Sequence, residues 1–355
     1  MDDRQYQFLS ALTGAGAPSG YEGPARAVWR ESVRAFTQDV QSDVHGSVTA
    51  TVNPEGKPRV MLAGHIDEIG LMVTHIDDKG FLHFAPIGGH DPIVLVGQRV
   101  NVHGRSGSLL GVLGRKPIHL LRTEERKVVP EISSLWIDIG AGSRAEAEEA
   151  VCLGDPITFA SGLERLRGDQ LVSKAFDNRM GAYVAAEAAR AVAGGPLQAA
   201  VFAVATSQEE VGYRGAYSSA GRINPDVAIA IDVGHALDYP GIEDEQKRHG
   251  PSEMGKGPLI SRGVNVNSAV YDLLIRTARE EHIPYQIDPN PRESGTDAWA
   301  IQVANSGVAT GVIGLPLRYM HTPVEVLSTR DLDQVVALLA GFLRRLTPET
   351  SFVVE

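Results

Sequence analysis

Met180-Gly-Ala-Tyr-Val-Ala-Ala-Glu-Ala-Ala-Arg-Ala-Val-Ala193, followed by Ala200-Val-Phe-Ala-Val-Ala205, decides the fold. The first run has the length and composition of a helix and the second is an apolar run of strand length. The alternation continues with a strand over Val227 to Ile231, a helix over Ala269 to Glu281, a strand over Gly311 to Leu315 and a closing helix from Asp331 to Leu346. Such alternation predicts an α/β fold. Towards the N-terminus, Pro24 suits a first helical position, and Ala25, Val28, Trp29, Val33 and Phe36 recur at helical spacing. Arg59-Val-Met-Leu-Ala63 then reads as a buried strand ending at Gly64. Between Ile69 and Gly162 the texture changes to short Val/Ile/Leu runs broken by glycine and proline, with helical periodicity only from Arg144 to Ala150. The predicted organisation is one α/β domain, residues 1–68 with 163–355, carrying residues 69–162 as an inserted β-rich module.

The 355 residues allow one large domain or two moderate ones, and 43% apolar with 22% charged residues predicts folding throughout. The formal charge of -11 disfavours nucleic acid and anionic membrane surfaces as primary partners. Cys152, the one cysteine, excludes an intrachain disulfide and is expected to be a small buried hydrophobe. The opening MDDRQYQF has no secretory pattern, and apolar runs such as Val335 to Leu343 are too short to span a bilayer. Cytoplasmic residence is the expectation.

Five places put metal-liganding side chains immediately after a predicted strand, where open α/β sheets usually place their sites. In Gly64-His65-Ile66-Asp67-Glu68, His65 and Asp67 share a face if the segment is extended, so the carboxylate can fix the imidazole tautomer of a metal ligand. In Lys174-Ala-Phe-Asp177-Asn-Arg179, Asp177 either caps the following helix or bridges two metals with its two oxygens. The strand Ala200 to Ala205 runs into Thr206-Ser-Gln-Glu209-Glu210, two adjacent carboxylates that are either a solvated turn or a ligand and a general base. Asp232 closes an apolar strand and must be paired, exposed or liganded, with His235 near it. His321 follows the strand Gly311 to Leu315. His75, His83, His90, His103 and His119, in or beside the insertion, read as structural or exposed.

Two His, two Asp and one Glu suit two borderline divalent ions sharing one carboxylate. Asp177, Glu210 and Asp232 bring three negative charges against four positive ones, which a single bridging hydroxide would neutralise.

The chain resembles the tetrahedral (TET-type) aminopeptidases, relatives of bacterial glutamyl aminopeptidase that are sometimes labelled endoglucanases. The resemblance covers essentially the whole chain. It rests on Ala63-Gly-His-Ile-Asp-Glu-Ile-Gly70, Pro86-Ile-Gly-Gly-His-Asp-Pro92, Gly111-Val-Leu-Gly-Arg-Lys-Pro117, Lys174-Ala-Phe-Asp-Asn-Arg179, Ser207-Gln-Glu-Glu-Val-Gly212, Ser294-Gly-Thr-Asp-Ala298 and Arg318-Tyr-Met-His-Thr-Pro323. It implies that Asp177 bridges two metals, with His65 and Asp232 completing one ion and Glu210 and His321 the other. Glu209 would be the base and Asp67 would orient His65. It also implies a three-layer α/β/α peptidase domain with an inserted small β-barrel-like domain, and dimers that build a tetrahedral dodecamer. Relatives often carry an aromatic where His90 stands and a threonine where Gly234 stands, departures that bear on substrate fit or domain contacts.

The expected reaction is hydrolysis of the N-terminal residue of a peptide through a metal-bridging hydroxide, with zinc, cobalt or manganese as the ion. Three rival readings are a glycosidase using Glu209 and Glu210, a dinuclear hydrolase acting on a free carboxyl terminus or an acetylated amine, and an assembly protein with structural metals. Adjacent glutamates rarely face each other across a sugar ring at about 5–10 Å, which weighs against the first.

Overall fold

A computed structural model of the chain describes residues 1–105 and 107–354. Among the described residues, eight strands form one mixed sheet in the order Val40–Ser42, Val48–Val52, Ala200–Thr206, Arg59–His65, Val227–His235, Ala309–Leu317, Leu259–Gly263 and Gln286–Asn290. The four strands from Ala200–Thr206 to Ala309–Leu317 run parallel, whereas Val48–Val52 and Leu259–Gly263 pair with them antiparallel. Parallel strands covered on both faces read as unbroken apolar runs, and every residue of Ala200–Thr206 is buried. Alternate residues serve opposite faces. Val60, Leu62, Val201 and Ile229 pack against helices Asp3–Gly14, Gly23–Arg34, Phe176–Val192, Ser268–Glu280 and Thr329–Arg344. Met61, Ala63, Phe202 and Ala228 pack against Arg214–Ile223 and Ala298–Ile301.

One packing detail positions the site. A Cβ added at Gly64 would lie 2.2 Å from the backbone carbon of Gly181, so strand and helix backbones touch there. The alanines of Phe176–Val192 permit this approach, which brings the start of that helix close over the end of Arg59–His65.

The chain leaves the sheet after His65 and closes a barrel before it returns. Gly70–Ile76, Leu82–Ile87, Trp136–Asp138, Gly107–Gly114, Arg99–Gly104 and Pro156–Phe159 follow one another around it, all neighbours antiparallel. Leu71, Val73, Leu82, Val100, Val102, Ile137 and Ile157 fill its interior as a core separate from that of the sheet. Closure removes the unpaired edges that a small antiparallel sheet would expose. Helix Arg144–Ala150 lies within this stretch, capped by Ser143. The chain re-enters through a small antiparallel sheet, Glu164–Arg165, Gln170–Ser173 and Glu325–Ser328, which sets Ser173 opposite Glu325.

The segment before the insertion holds three strands where the sequence reading gave one, and Leu259–Gly263, Gln286–Asn290 and helix Arg214–Ile223 were not foreseen. Strand Gln286–Asn290 lies at the sheet edge with Pro289 inside it, and Arg214–Ile223 contains Gly215 and Gly221, both of which mask a periodic signal. The predicted helix from Met180 begins at Phe176, although Asp177 and Asn178 lack helical geometry. Cys152 is half-buried, not buried, because it sits in the turn between Ala150 and Pro156. Among the described residues no helix is long and apolar enough to cross a membrane.

Candidate metal centre

The predicted site residues converge at the carboxyl ends of the parallel strands. His65 ends Arg59–His65 in register with Thr206, and Glu209 and Glu210 follow Thr206 within four residues. Asp232 is not the last residue of its strand, which continues to His235. His321 follows Ala309–Leu317, and Asp177 enters from the helix start. His235 is exposed and does not join the cluster.

Asp177 does not cap its helix. That task falls to Asn178, whose Oδ1 accepts the Gly181 N–H at 2.9 Å while its Nδ2 donates to the Ile231 carbonyl at 2.8 Å. The carboxylate of Asp177 is therefore free to face two imidazoles. Its Oδ1 lies 3.2 Å from His65 Nε2 and its Oδ2 lies 3.2 Å from His321 Nε2. Glu209 Oε2 is 3.6 Å and Asp232 Oδ1 4.0 Å from His65 Nε2, and Glu210 Oε1 is 3.6 Å from His321 Nε2. Ala175, Gln208 and His321 carry φ values of 57°, 56° and 61°, a left-handed conformation costing about 1–2 kcal/mol per non-glycine residue. Strain concentrated around one cluster marks a backbone held for the side chains it carries.

Asp67 and Glu325 anchor these elements. Asp67 is fully buried. It accepts the backbone N–H groups of Glu209 and Glu210 at 3.1 and 3.2 Å and the Ser19 hydroxyl at 2.5 Å, and its Oδ1 lies 3.5 Å from His65 Nδ1. Glu325 accepts the Asp177 N–H on one oxygen at 3.1 Å and the His321 N–H on the other at 2.9 Å. The sequence reading missed Glu325, although it stands four residues after His321. Asp297, in the motif Ser294 to Ala298, is also buried and accepts the Thr206 hydroxyl.

Charge is badly balanced here. A cavity of about 330 Å³ is lined by His65, Asp177, Glu209, Glu210, Asp232 and His321 with no lysine or arginine among the described residues. Burial, reinforced by Asp232, Asp297 and Glu210, pushes Glu209 up to about 10. Burial and Asp177 push Glu210 up to about 7, and burial and Asp177 raise Asp232 well above the usual carboxylate range. Burial raises Asp297 to about 6. Asp177 is the exception: against burial, its hydrogen bonds with His321 and His65 hold it low. The same hydrogen bond raises His321 to about 9, while His65 rises well above its ordinary value because Glu209, Asp177 and Asp67 outweigh burial.

The chain thus gathers more buried carboxylate than its own cations can meet. Glu210 Oε1 is buried without a hydrogen-bond partner among the described residues. His65, Glu209 and Asp232 form one trio, and His65, Asp177 and Glu210 another, with the ligand atoms of each within 4.8 Å of one another. Nitrogen and carboxylate donors without thiolate fit divalent cations of intermediate softness. These are two candidate metal sites sharing a side.

Directly behind them, Glu68 receives Lys174 Nζ at 2.9 and 2.7 Å and Arg179 Nη2 at 3.0 Å, all three side chains being buried. Arg179 also donates to the carbonyls of Leu12, Ala15 and Ala17.

A family model described as M42 glutamyl aminopeptidase matches residues 46–338. The chain belongs to the M42 family. This M42 chain is 35% identical over 346 residues to lysyl aminopeptidase of Pyrococcus furiosus, covering 97% of the chain and 98% of that protein. A TET aminopeptidase from a marine sediment archaeon of the Thaumarchaeota superposes with a TM-score of 0.92 at 36% identity, over 98% of both chains. TET1 peptidase of Pyrococcus horikoshii, described as able to assemble into a tetrahedron or a large octahedral shell, gives 0.86 at 32% identity, over 96% of this chain and all of that one. As an M42 member the chain is a metallo-aminopeptidase, a hydrolase, and its relatives include TET assemblies.

Proposed function

We propose that the protein hydrolyses the N-terminal residue of peptides with Asp177 bridging two divalent ions, His65 and Asp232 completing one and Glu210 and His321 the other. The observation that carries this reading is the placement of the two Asp177 oxygens, each 3.2 Å from Nε2 of a different histidine. Zinc, cobalt and manganese all suit these donors. When bound, such ions supply Lewis acidity, which lowers the pKa of water and polarises a carbonyl.

Glu209 is the general base in this reading. Opposite charge nearby lowers a carboxylate pKa, which brings Glu209 from its raised value to the ionised form that accepts a proton. Its carboxylate takes the proton of the attacking water and returns it to the leaving nitrogen, a role worth about 10²–10⁴-fold in rate. Asp67 fixes the orientation of His65 and holds the backbone of both glutamates, so base and ligand move as one piece. Glu325 does the same for Asp177 and His321.

The proposed division assigns residues 1–68 and 163–355 to catalysis and residues 69–162 to dimerisation and substrate access. Exposed Leu110, Ile118, Leu120 and Val128 in the latter support an interface. Copies would then assemble from dimers into a tetrahedral dodecamer working in the cytoplasm. The test of the activity is turnover of a free-amine peptide against its N-acetylated form by metal-reconstituted protein. The reading expects cleavage of the first only, and equal cleavage of both overturns it.

A further inference from the structure

Glu22 stands immediately before helix Gly23–Arg34, where an acid commonly serves the helix it precedes. Among the described residues its side chain makes no capping bond there. It is 2% exposed and turns into the fold, where Oε1 accepts the Gly20 N–H at 2.7 Å and the Gln208 N–H, 186 residues away, at 3.2 Å.

The second of these bonds completes a set. Four consecutive amides, Ser207 to Glu210, donate to side chains: Ser207 to the Ser47 hydroxyl at 3.2 Å, Gln208 to Glu22, and Glu209 and Glu210 to the two oxygens of Asp67. Peptide units are planar, so a residue has only two soft backbone dihedrals. At Gln208 both flanking units are held, the one before it by Glu22 and the one after it by Asp67. This grip maintains its left-handed φ of 56°. The next two side chains diverge from there, Glu209 Oε2 lying 3.6 Å from His65 Nε2 and Glu210 Oε1 3.6 Å from His321 Nε2.

Glu22 and Asp67 belong to one frame. The Tyr21 N–H donates to the Pro18 carbonyl at 2.8 Å, and Ser19 ties the same turn to Asp67 through its hydroxyl and to the Glu68 carbonyl through its N–H at 3.2 Å. Burial raises the Glu22 carboxyl above its ordinary value. Reach rather than charge is what the Gln208 amide requires, and a side-chain amide oxygen at the same distance accepts the same bond.

We propose that Glu22 is a positioning residue for hydrolysis, acting through Glu209 by locking the Gln208 peptide that aims it. The proposal rests on the reading of Glu209 as general base.

The test is a double-mutant cycle in kcat with metal-reconstituted protein. Glu22→Asp shortens the side chain by about 1.5 Å and should lose about tenfold in kcat, since misplacing a reacting group by about 1 Å can cost about 10²-fold. KM should stay within about threefold, and elemental analysis should still find both ions. Glu22→Gln keeps the acceptor at full reach and should stay within about threefold of the wild-type kcat. In a Glu209→Gln background, Glu22→Asp should change the residual kcat by less than about twofold, because the group it aims no longer takes the proton. An unaltered kcat in Glu22→Asp, the same loss in the Glu209→Gln background, or a Glu22→Gln as impaired as Glu22→Asp overturns the role of Glu22 and leaves the peptidase reading intact. Loss of the ions or of the fold in Glu22→Asp makes Glu22 framework and overturns it too. Near-normal turnover in Glu209→Gln alone removes the base and this proposal together.

Discussion

Two buried clusters of charge meet at the Asp67–Glu68 peptide bond, and they are built in opposite ways. On one side the charge of Glu68 is met by Lys174 and Arg179, and the two terminal nitrogens of Arg179 also donate to carbonyls, leaving its Nε without a partner among the described residues, so the charges are matched by the chain's own atoms. On the other side Asp177, Glu209, Glu210 and Asp232 crowd around two imidazoles, with one Glu210 oxygen left without a partner among the described residues. Burying charge costs several kcal/mol per ion unless a partner compensates it. A cluster that the chain completes by itself is framework. One left in deficit is shaped for something that arrives from outside.

Removing the Asp177 carboxylate, which faces both imidazoles, should have the largest effect. Asp177→Ala should abolish both activity and binding of a second ion, read by elemental analysis after reconstitution; two ions retained at full affinity would remove Asp177 from the centre. Glu209→Gln should separate chemistry from binding, keeping the metal and losing about 10²–10⁴ in kcat. Near-normal turnover in that variant means another group takes the proton.

The closed cluster should fail differently. Glu68→Ala strands two buried cations and should lower folding stability by about 3–5 kcal/mol in a denaturant titration. An unaltered midpoint would mean that Lys174 and Arg179 find other partners. Asp67, at the seam, should affect metal more than folding: Asp67→Ala is expected to weaken metal affinity or activity about 10–100-fold.

Protonation gives the centre a pH dependence. Without metal, the hydrogen bond with Asp177 holds His321 at about 9, and burial holds Glu210 at about 7. Both are protonated below those values, and the protons must leave before either group can ligate a cation. Affinity should therefore rise with pH through this window, by about tenfold per unit for each proton displaced, and fall as pH drops. A pH-independent calorimetric titration would contradict the arrangement.

Much of the site was legible because its residues end apolar runs, where an acid or a histidine is out of keeping with its surroundings. His65, Glu209, Asp232 and His321 all stand out this way. Glu325 did not, because it opens the short strand Glu325–Ser328 and its importance comes from amides delivered by Asp177, 148 residues away. The helix-cap question at Asp177 was open in sequence, since Asp and Asn both cap well; only tertiary packing gave the cap to Asn178. The insertion was visible in the density of glycine and proline, whereas the edge strands Val40–Ser42 and Gln286–Asn290 were too short or too interrupted to signal themselves.

The barrel begins at Gly70, two residues beyond Glu68 and five beyond His65. The covalent root of the inserted module is therefore also the tether of the strand end that carries His65. Any displacement of the barrel relative to the sheet would load the hydrogen bonds of Asp67 and Glu68, so the geometry at His65 is coupled to the seating of the barrel.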